Sequence, residues 1–186
     1  MKRLRNETYT VRPGDTLWKI AGQYQIGLTE LINANPQIAN PDMIYIGQQV
    51  NIPSLNDFRD MEREIIRLVN EERSRRGINP LTEDWEISRV ARIKSQDMVE
   101  NNYFSHNSPV YGSPFDMLSA FGVRYTQAAE NIAYGQRSAT QVVNTWMNST
   151  GHRNNILNRN YNLTGVGVAR DGRDGPLYFT QIFVRR

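Results

Sequence analysis

Residues 9–53 read YTVRPGDTLWKIAGQYQIGLTELINANPQIANPDMIYIGQQVNIP, and this stretch sets the organisation of the whole chain. Tyr9-Thr10-Val11 predicts a short strand, and Arg12-Pro13-Gly14-Asp15 a turn. Asp15 or Thr16 can cap the helix that follows. Leu17, Trp18, Ile20, Ala21 and Tyr24 recur at helical spacing, and Gly27 is expected to break that helix. Thr29 is expected to cap a second helix carrying Leu31 and Ile32, ending near Asn33-Ala34-Asn35-Pro36. Asn40-Pro41-Asp42 makes a loop, and Ile44 to Ile52, with Gly47 at a turn, supplies the return strand. The order is β-α-α-β in about 45 residues, so the first and last strands must pair. A unit this small and self-contained predicts a separate domain.

Outward from that unit, Pro53-Ser54-Leu55-Asn56 reads as a short linker, placing the boundaries at 9–53, 54–57 and 58–186. Phe58, Met61, Ile65, Leu68 and Val69 then lie on one helical stripe. Asn56 is placed to cap its start and Gly77 its end. Trp85, Val90, Ala91 and Met98 mark a helix over roughly 83–101. A loop at 102–113 carries Tyr103-Phe104-Ser105-His106, and a short helix follows at 114–121. Glu130 to Gly135 is extended, and Ser138 caps a helix holding Val142, Val143, Trp146 and Met147. Trp146 continues the Val142-Val143 face, so it reads as core rather than as a platform for a sugar. Gly151-His152-Arg153 opens a turn. Gly165 to Ala169 and Leu177 to Val184 alternate as a hairpin closed by residues 171–175. Helices and strands mix without a βαβ repeat, which predicts an α+β chain with a three-layer sandwich.

The 186 residues are 39% apolar and 22% charged, which describes a globular protein. A net charge of +3 spread over 22 basic and 19 acidic residues gives nucleic-acid binding no footprint. It would suit an anionic wall polymer. No cysteine is present, which excludes disulfides and thiol catalysis. Residues 1–8, MKRLRNET, lead into no apolar stretch, so the sequence predicts no signal peptide and no membrane span. Export would then need another route, or the chain would reach a wall from inside, as in a sporulating cell.

The chain has two histidines, His106 and His152, each in a polar, turn-rich context and neither on an apolar stripe. Glu130 heads an apolar stretch, where a carboxylate needs partners. Two imidazoles and a carboxylate can make a metal site with open positions, or an acid/base pair. Spacing alone is equally met by surface or structural histidines. No G-x-S-x-G nucleophile motif appears.

Residues 9–53 closely resemble a LysM domain, through Gly14-Asp15-Thr16-Leu17, Ile20-Ala21, Leu31, Asn35-Pro36, Ile46-Gly47-Gln48 and Ile52-Pro53. The resemblance implies binding of glycans containing N-acetylglucosamine, peptidoglycan or chitin. It puts Gly14, Asp15, Thr16 and Leu17 on one side of a groove and Asn40, Pro41, Asp42, Met43 and Ile44 on the other. Residues from about 60 to 186 resemble the bacterial branch of the CAP (SCP-like) superfamily. The carrying pieces are Val69-Asn70-Glu71-Glu72-Arg73, Tyr103-Phe104-Ser105-His106, Glu130 to Gly135, Trp146 to Ser149 with Gly151 to Leu157, Gly165 to Ala169, and Tyr178 to Gln181. That resemblance implies an α-β-α sandwich with a central cleft. Eukaryotic members place two His and two Glu there, often with a divalent metal. Three positions carry over, His106, Glu130 and His152. Asn148-Ser149 stands where the second Glu would be.

The resemblances imply a wall-associated protein that grips peptidoglycan and presents a His106/Glu130/His152 cleft to a small ligand, lipid, protein or metal, zinc through His106 and His152 foremost. The alternative is a hydrolase on peptidoglycan or peptides using that trio and metal-activated water. The missing carboxylate favours binding over catalysis.

Overall fold

The computed structural model describes residues 7–53, 58–172 and 174–186. It divides into two compact units between residues 57 and 58. The expected linker and the Asn56 cap lie outside the described residues.

The first unit is β1 (Glu7–Thr10), α1 (Leu17–Tyr24), α2 (Leu28–Asn33) and β2 (Gln49–Ile52). The strands pair antiparallel, Glu7 with Ile52 through Thr10 with Gln49. Only the last four residues of the expected return strand are extended in the sheet. Before them the backbone closes turns, from Met43 N to Asn40 O and from Gln48 N to Tyr45 O, with Gly47 at φ +85°. Thr16 is the helix cap, its hydroxyl accepting from Lys19 N. Asp15 instead closes the preceding turn, accepting from Arg12 N at 2.7 Å and from the Tyr9 hydroxyl at 2.8 Å. Helix α1 stops before Gly27, because Gln25 takes the left-handed conformation, φ 54°, and donates back to Ala21 and Gly22. Helix α2 starts at Leu28, so Thr29 lies inside it and does not cap it.

Leu17, Ile20, Leu31, Val50 and Ile52 fill this core. Asn35, 1% exposed, ties α2 to β2: its amide donates to Leu31 O and Asn51 O, and its carbonyl accepts from Asn51 N. A buried carboxamide with its groups satisfied fixes position rather than weakening the core.

The second unit runs α3 (Arg59–Ser74), β3 (Thr82–Glu83), α4 (Trp85–Glu100), α5 (Pro114–Ala120), β4 (Gln127–Tyr134), α6 (Ala139–Asn148), α7 (Thr150–Leu157), β5 (Leu163–Arg170) and β6 (Leu177–Arg185). The sheet order is β3-β5-β6-β4. Strands β5 and β6 form the expected hairpin, from Leu163 opposite Val184 to Arg170 opposite Leu177. Strand β4 lies antiparallel on β6 and is an edge. Side chains on successive strand residues face opposite sides, which makes three layers. Val166, Val168, Phe179 and Phe183 meet Ile65, Val69, Val142, Trp146 and Ile156 of α3, α6 and α7. Ile182 and Val184 meet Ile87, Val90 and Ala91 of α4 and Met117 and Leu118 of α5. The chain is α+β, a small βααβ unit and an α-β-α sandwich.

Helix α4 lies almost on the sheet backbone. A Cβ on Gly165 would stand 2.1 Å from Ser88 N, and one on Gly167 2.1 Å from Arg92 N. Across the same contact Glu62 of α3 pairs with Arg92 at 2.7 Å and accepts from Val168 N at 3.1 Å. The segment from Gly151 departs from expectation: it is helix α7, not a turn. Its TGHRNNIL sequence has one buried apolar residue, Ile156, so no periodicity marks it. Arg73, fully buried, holds its C-terminal end by donating to the carbonyls of Ile156 and Asn158.

Candidate functional site

Two concave surfaces hold the residues singled out from the sequence. On the first unit a cavity of about 200 Å³ opens between the α1 turn and the 40–44 loop. Asp15, Thr16 and Leu17 form one wall, and Pro41, Asp42 and Ile44 the other. Gly14, Asn40 and Met43, expected in those walls, are not among the residues that line the cavity. Gly14 takes φ +82° and its carbonyl accepts from Lys19 Nζ. The Asn40 side chain accepts from Asp42 N, and its carbonyl from Met43 N. Trp18, Leu28 and Ile32 complete the lining; helical spacing marks Trp18 and Ile32 as helix residues and gives no sign of their place in the groove. Trp18 is 72% exposed although it sits on a helix whose other large residues are core. The groove thus joins apolar faces to loop polar groups, which is what a sugar with C–H faces and an acetamido group needs.

On the second unit, His106 comes from the loop before α5, Glu130 from the middle of edge strand β4, and His152 from the first turn of α7. His106 Nδ1 lies 2.7 Å from Glu130 Oε1. An ionised Glu130 accepts from Nδ1–H, which fixes the tautomer and leaves Nε2 as the free lone pair. The Glu130 side chain is 2% exposed and that of His106 50%. Burial pushes the Glu130 carboxyl above the usual carboxylate range, against the His106 hydrogen bond and the Lys94 charge, which pull it down. Burial, and then the His106 charge, lower the His152 imidazole. Asn131 carries His152, donating to its carbonyl at 3.1 Å, and Asn155 holds Asn131 at 2.9 Å. Arg153 braces the α6–α7 corner through Met147 O. Glu130 Oε2 and His152 Nδ1 are both buried and have no hydrogen-bond partner among the described residues. Asn148 is exposed at the end of α6 and Ser149 half-buried at the corner, so no carboxylate stands at either position.

Beneath the pair lies a polar network absent from the sequence reading. Lys94, fully buried, donates to His106 O at 2.9 Å and to the Tyr103 hydroxyl at 2.9 Å. Tyr103 in turn donates to the buried Asp97. Burial lowers the Lys94 ammonium and raises the Tyr103 phenol. The signal was available: Lys94 falls on the stripe of Val90, Ala91 and Met98, where a lysine stays buried only with partners.

As to a metal, the donors left free are His106 Nε2, His152 and Glu130 Oε2. Among the described residues no group of three His, Cys, Asp or Glu is arranged to hold an ion. A catalytic zinc takes three protein ligands, and Glu130 here orients an imidazole instead. The donor set does not make such a site. The hydroxyls of Ser105 and Ser108 are engaged in turns, accepting from Asn107 N and from Val110 and Tyr111 N.

Residues 66–183 match the model of the Cysteine-rich secretory protein family, CAP. The chain belongs to that family. Residues 9–53 match the LysM domain, so a LysM unit precedes the CAP domain. The protein YkwD of Bacillus subtilis (strain 168) is 52% identical over 111 residues, which cover 60% of this chain and 43% of YkwD. The membrane protein YlbC of the same strain is 38% identical over 151 residues, covering 78% of this chain and 42% of YlbC. The chain therefore spans less than half the length of these relatives. A crystal structure of an extracellular SCP-domain protein from Bacillus anthracis str. Ames superposes with a TM-score of 0.64 at 35% identity, covering 75% of this chain and 47% of that one. Among the described residues no helix is long and apolar enough to cross a membrane.

Proposed function

We propose that this is a binding protein of the bacterial wall, extracellular space or spore envelope. Its LysM unit holds a glycan containing N-acetylglucosamine, peptidoglycan foremost, and its CAP domain offers the His106–Glu130–His152 cleft to a ligand. The observation that carries the reading is the groove itself. The two loops that the LysM resemblance singles out face each other across a cavity of sugar size, with an exposed Trp18 at its side. One such unit binds weakly, so several contacts along a polymer would supply the retention. In the cleft, the unpartnered Glu130 Oε2 and His152 Nδ1 are polar atoms a ligand would satisfy.

A hydrolase is the second reading, favoured by one observation. A carboxyl raised by burial beside an oriented imidazole is an acid/base pair. The test takes both readings together. The full chain is sedimented with insoluble peptidoglycan, and the supernatant is assayed for released fragments, with and without zinc. Binding without release is expected. A chain lacking residues 1–55 that sediments as well as the full chain would remove the LysM tether. Fragment release abolished by His106→Ala would establish the hydrolase in its place.

A further inference from the structure

Beside the His106–Glu130 pair the surface carries two rings that the fold does not need for its core. Phe104 is 51% exposed and Tyr134 47%. Their centroids are 5.9 Å apart, tilted at 46°. Tyr134 is propped from behind by the buried Tyr178, edge-on at 4.7 Å, its direct partner across the β4–β6 ladder. The platform is therefore fixed in place while its outer face stays open.

Its position is set by the strand. Glu130, Ile132 and Tyr134 alternate onto one face of β4, and four residues span about 13 Å. The loop runs alongside, with His106 on Glu130 and Phe104 on Tyr134. With Glu130 and Ile132 buried, His106, Phe104 and Tyr134 are left as a surface strip along this sheet edge.

We propose that this strip is a second carbohydrate subsite, in which a pyranose of an N-acetylglucosamine glycan stacks on Phe104 and Tyr134 and its neighbour along the strand reaches the half-exposed His106, which Glu130 orients from behind. The proposal rests on the glycan-binding reading above and adds to it what the CAP domain contacts. Size selects the occupant. Aromatic side chains bury about 150–250 Å² each, so two half-exposed rings offer roughly 200 Å². A protein partner needs about 800 Å² on each side. The negative ring face attracts the C–H face of a sugar, whose hydroxyls stay in water or meet the His–Glu pair. An acyl chain would want enclosure, and this strip is open.

The test titrates the ¹⁵N-labelled full chain with the tetrasaccharide of N-acetylglucosamine and follows backbone amides. Two separately saturating sets of shifts are expected, one at Thr16, Leu17, Asp42 and Ile44, the other at Phe104, Ser105, His106 and Tyr134. Phe104→Ala and Tyr134→Leu should each weaken the second set at least tenfold and leave the first unchanged. Amide positions elsewhere report that both variants are folded. Shifts in the first set alone would overturn the subsite while the LysM reading stands. Shifts in neither set would remove both. A second set insensitive to both variants, or one produced by dodecylphosphocholine micelles and not by the sugar, would also overturn it.

Discussion

Glu130 sits among Ala129, Ile132 and Ala133, and its state is decided by what reaches it from outside the strand. Burial favours the neutral acid, whereas His106 and Lys94 favour the carboxylate. His152 has the opposite problem, since burial and the His106 charge both favour its neutral form. The sign follows from proton linkage. A folded-state pKa below the usual imidazole value means the folded chain holds fewer protons, so stability is full above about pH 6.5. It is lost as pH falls through the lowered value. Glu130 acts in the other sense: its raised pKa gives stability present below the usual carboxylate value and lost as pH rises through the raised one. Thermal melts should therefore show that acidification from pH 7.5 to pH 5.5 lowers Tm more in the wild-type chain than in His152→Gln, which keeps the Glu130 contribution and lacks the imidazole. An equal fall in that variant would mean other groups carry the acid sensitivity. At this scale the sequence was informative where a residue contradicts its surroundings, as Glu130 does. It was silent on the Tyr103–Asp97 bond, because residues six apart show no pairing until the loop is folded.

The elements differ in how openly they are written. Helices α3, α4 and α6 carry an apolar stripe, so periodicity finds them; β5 and β6 do not alternate as expected, because both faces of each are buried under helices, and it is their apolar runs on either side of a turn that find them. Strand β2 is shorter than its apolar run, because residues 40–48 spend their backbone on turns that build a groove wall. Helix α7 is written hardly at all: it is held by Arg73 of α3 and Asn131 of β4, and by its own Arg153 reaching back to Met147 O, and it delivers His152. Two glycines in β5 look like weak strand residues until α4 is placed. Gly167→Ala would drive a methyl into the α4 backbone at Arg92. Helix or sheet must then move, at a cost of roughly 3 kcal/mol, the upper part of the range for overpacking. Urea unfolding measures it. A loss below about 0.5 kcal/mol, the size of an ordinary surface change, would show that α4 does not rest on this strand as described.

The whole molecule joins two units with separate cores, one matched to LysM and the other to CAP. Both were recognisable from sequence because each motif spacing serves local geometry: the Gly14 turn, the Thr16 cap, the His106 loop, the glycines under α4. What spacing left undecided was the second unit's chemistry. Here the fold supplies an oriented imidazole and a buried acid, and the position of the missing carboxylate remains without one. The account rests most heavily on the groove of the first unit, and Trp18 reports on it directly. Trp146 is fully buried and Trp85 half-buried, whereas Trp18 is 72% exposed in the groove wall. Titrating the tetrasaccharide of N-acetylglucosamine into the full chain should shift tryptophan emission to the blue and saturate, as sugar replaces water on the indole. Trp18→Phe should abolish that change. No saturable change in the wild-type chain, or an equal change in Trp18→Phe, would contradict a glycan-binding groove between residues 15–18 and 41–44.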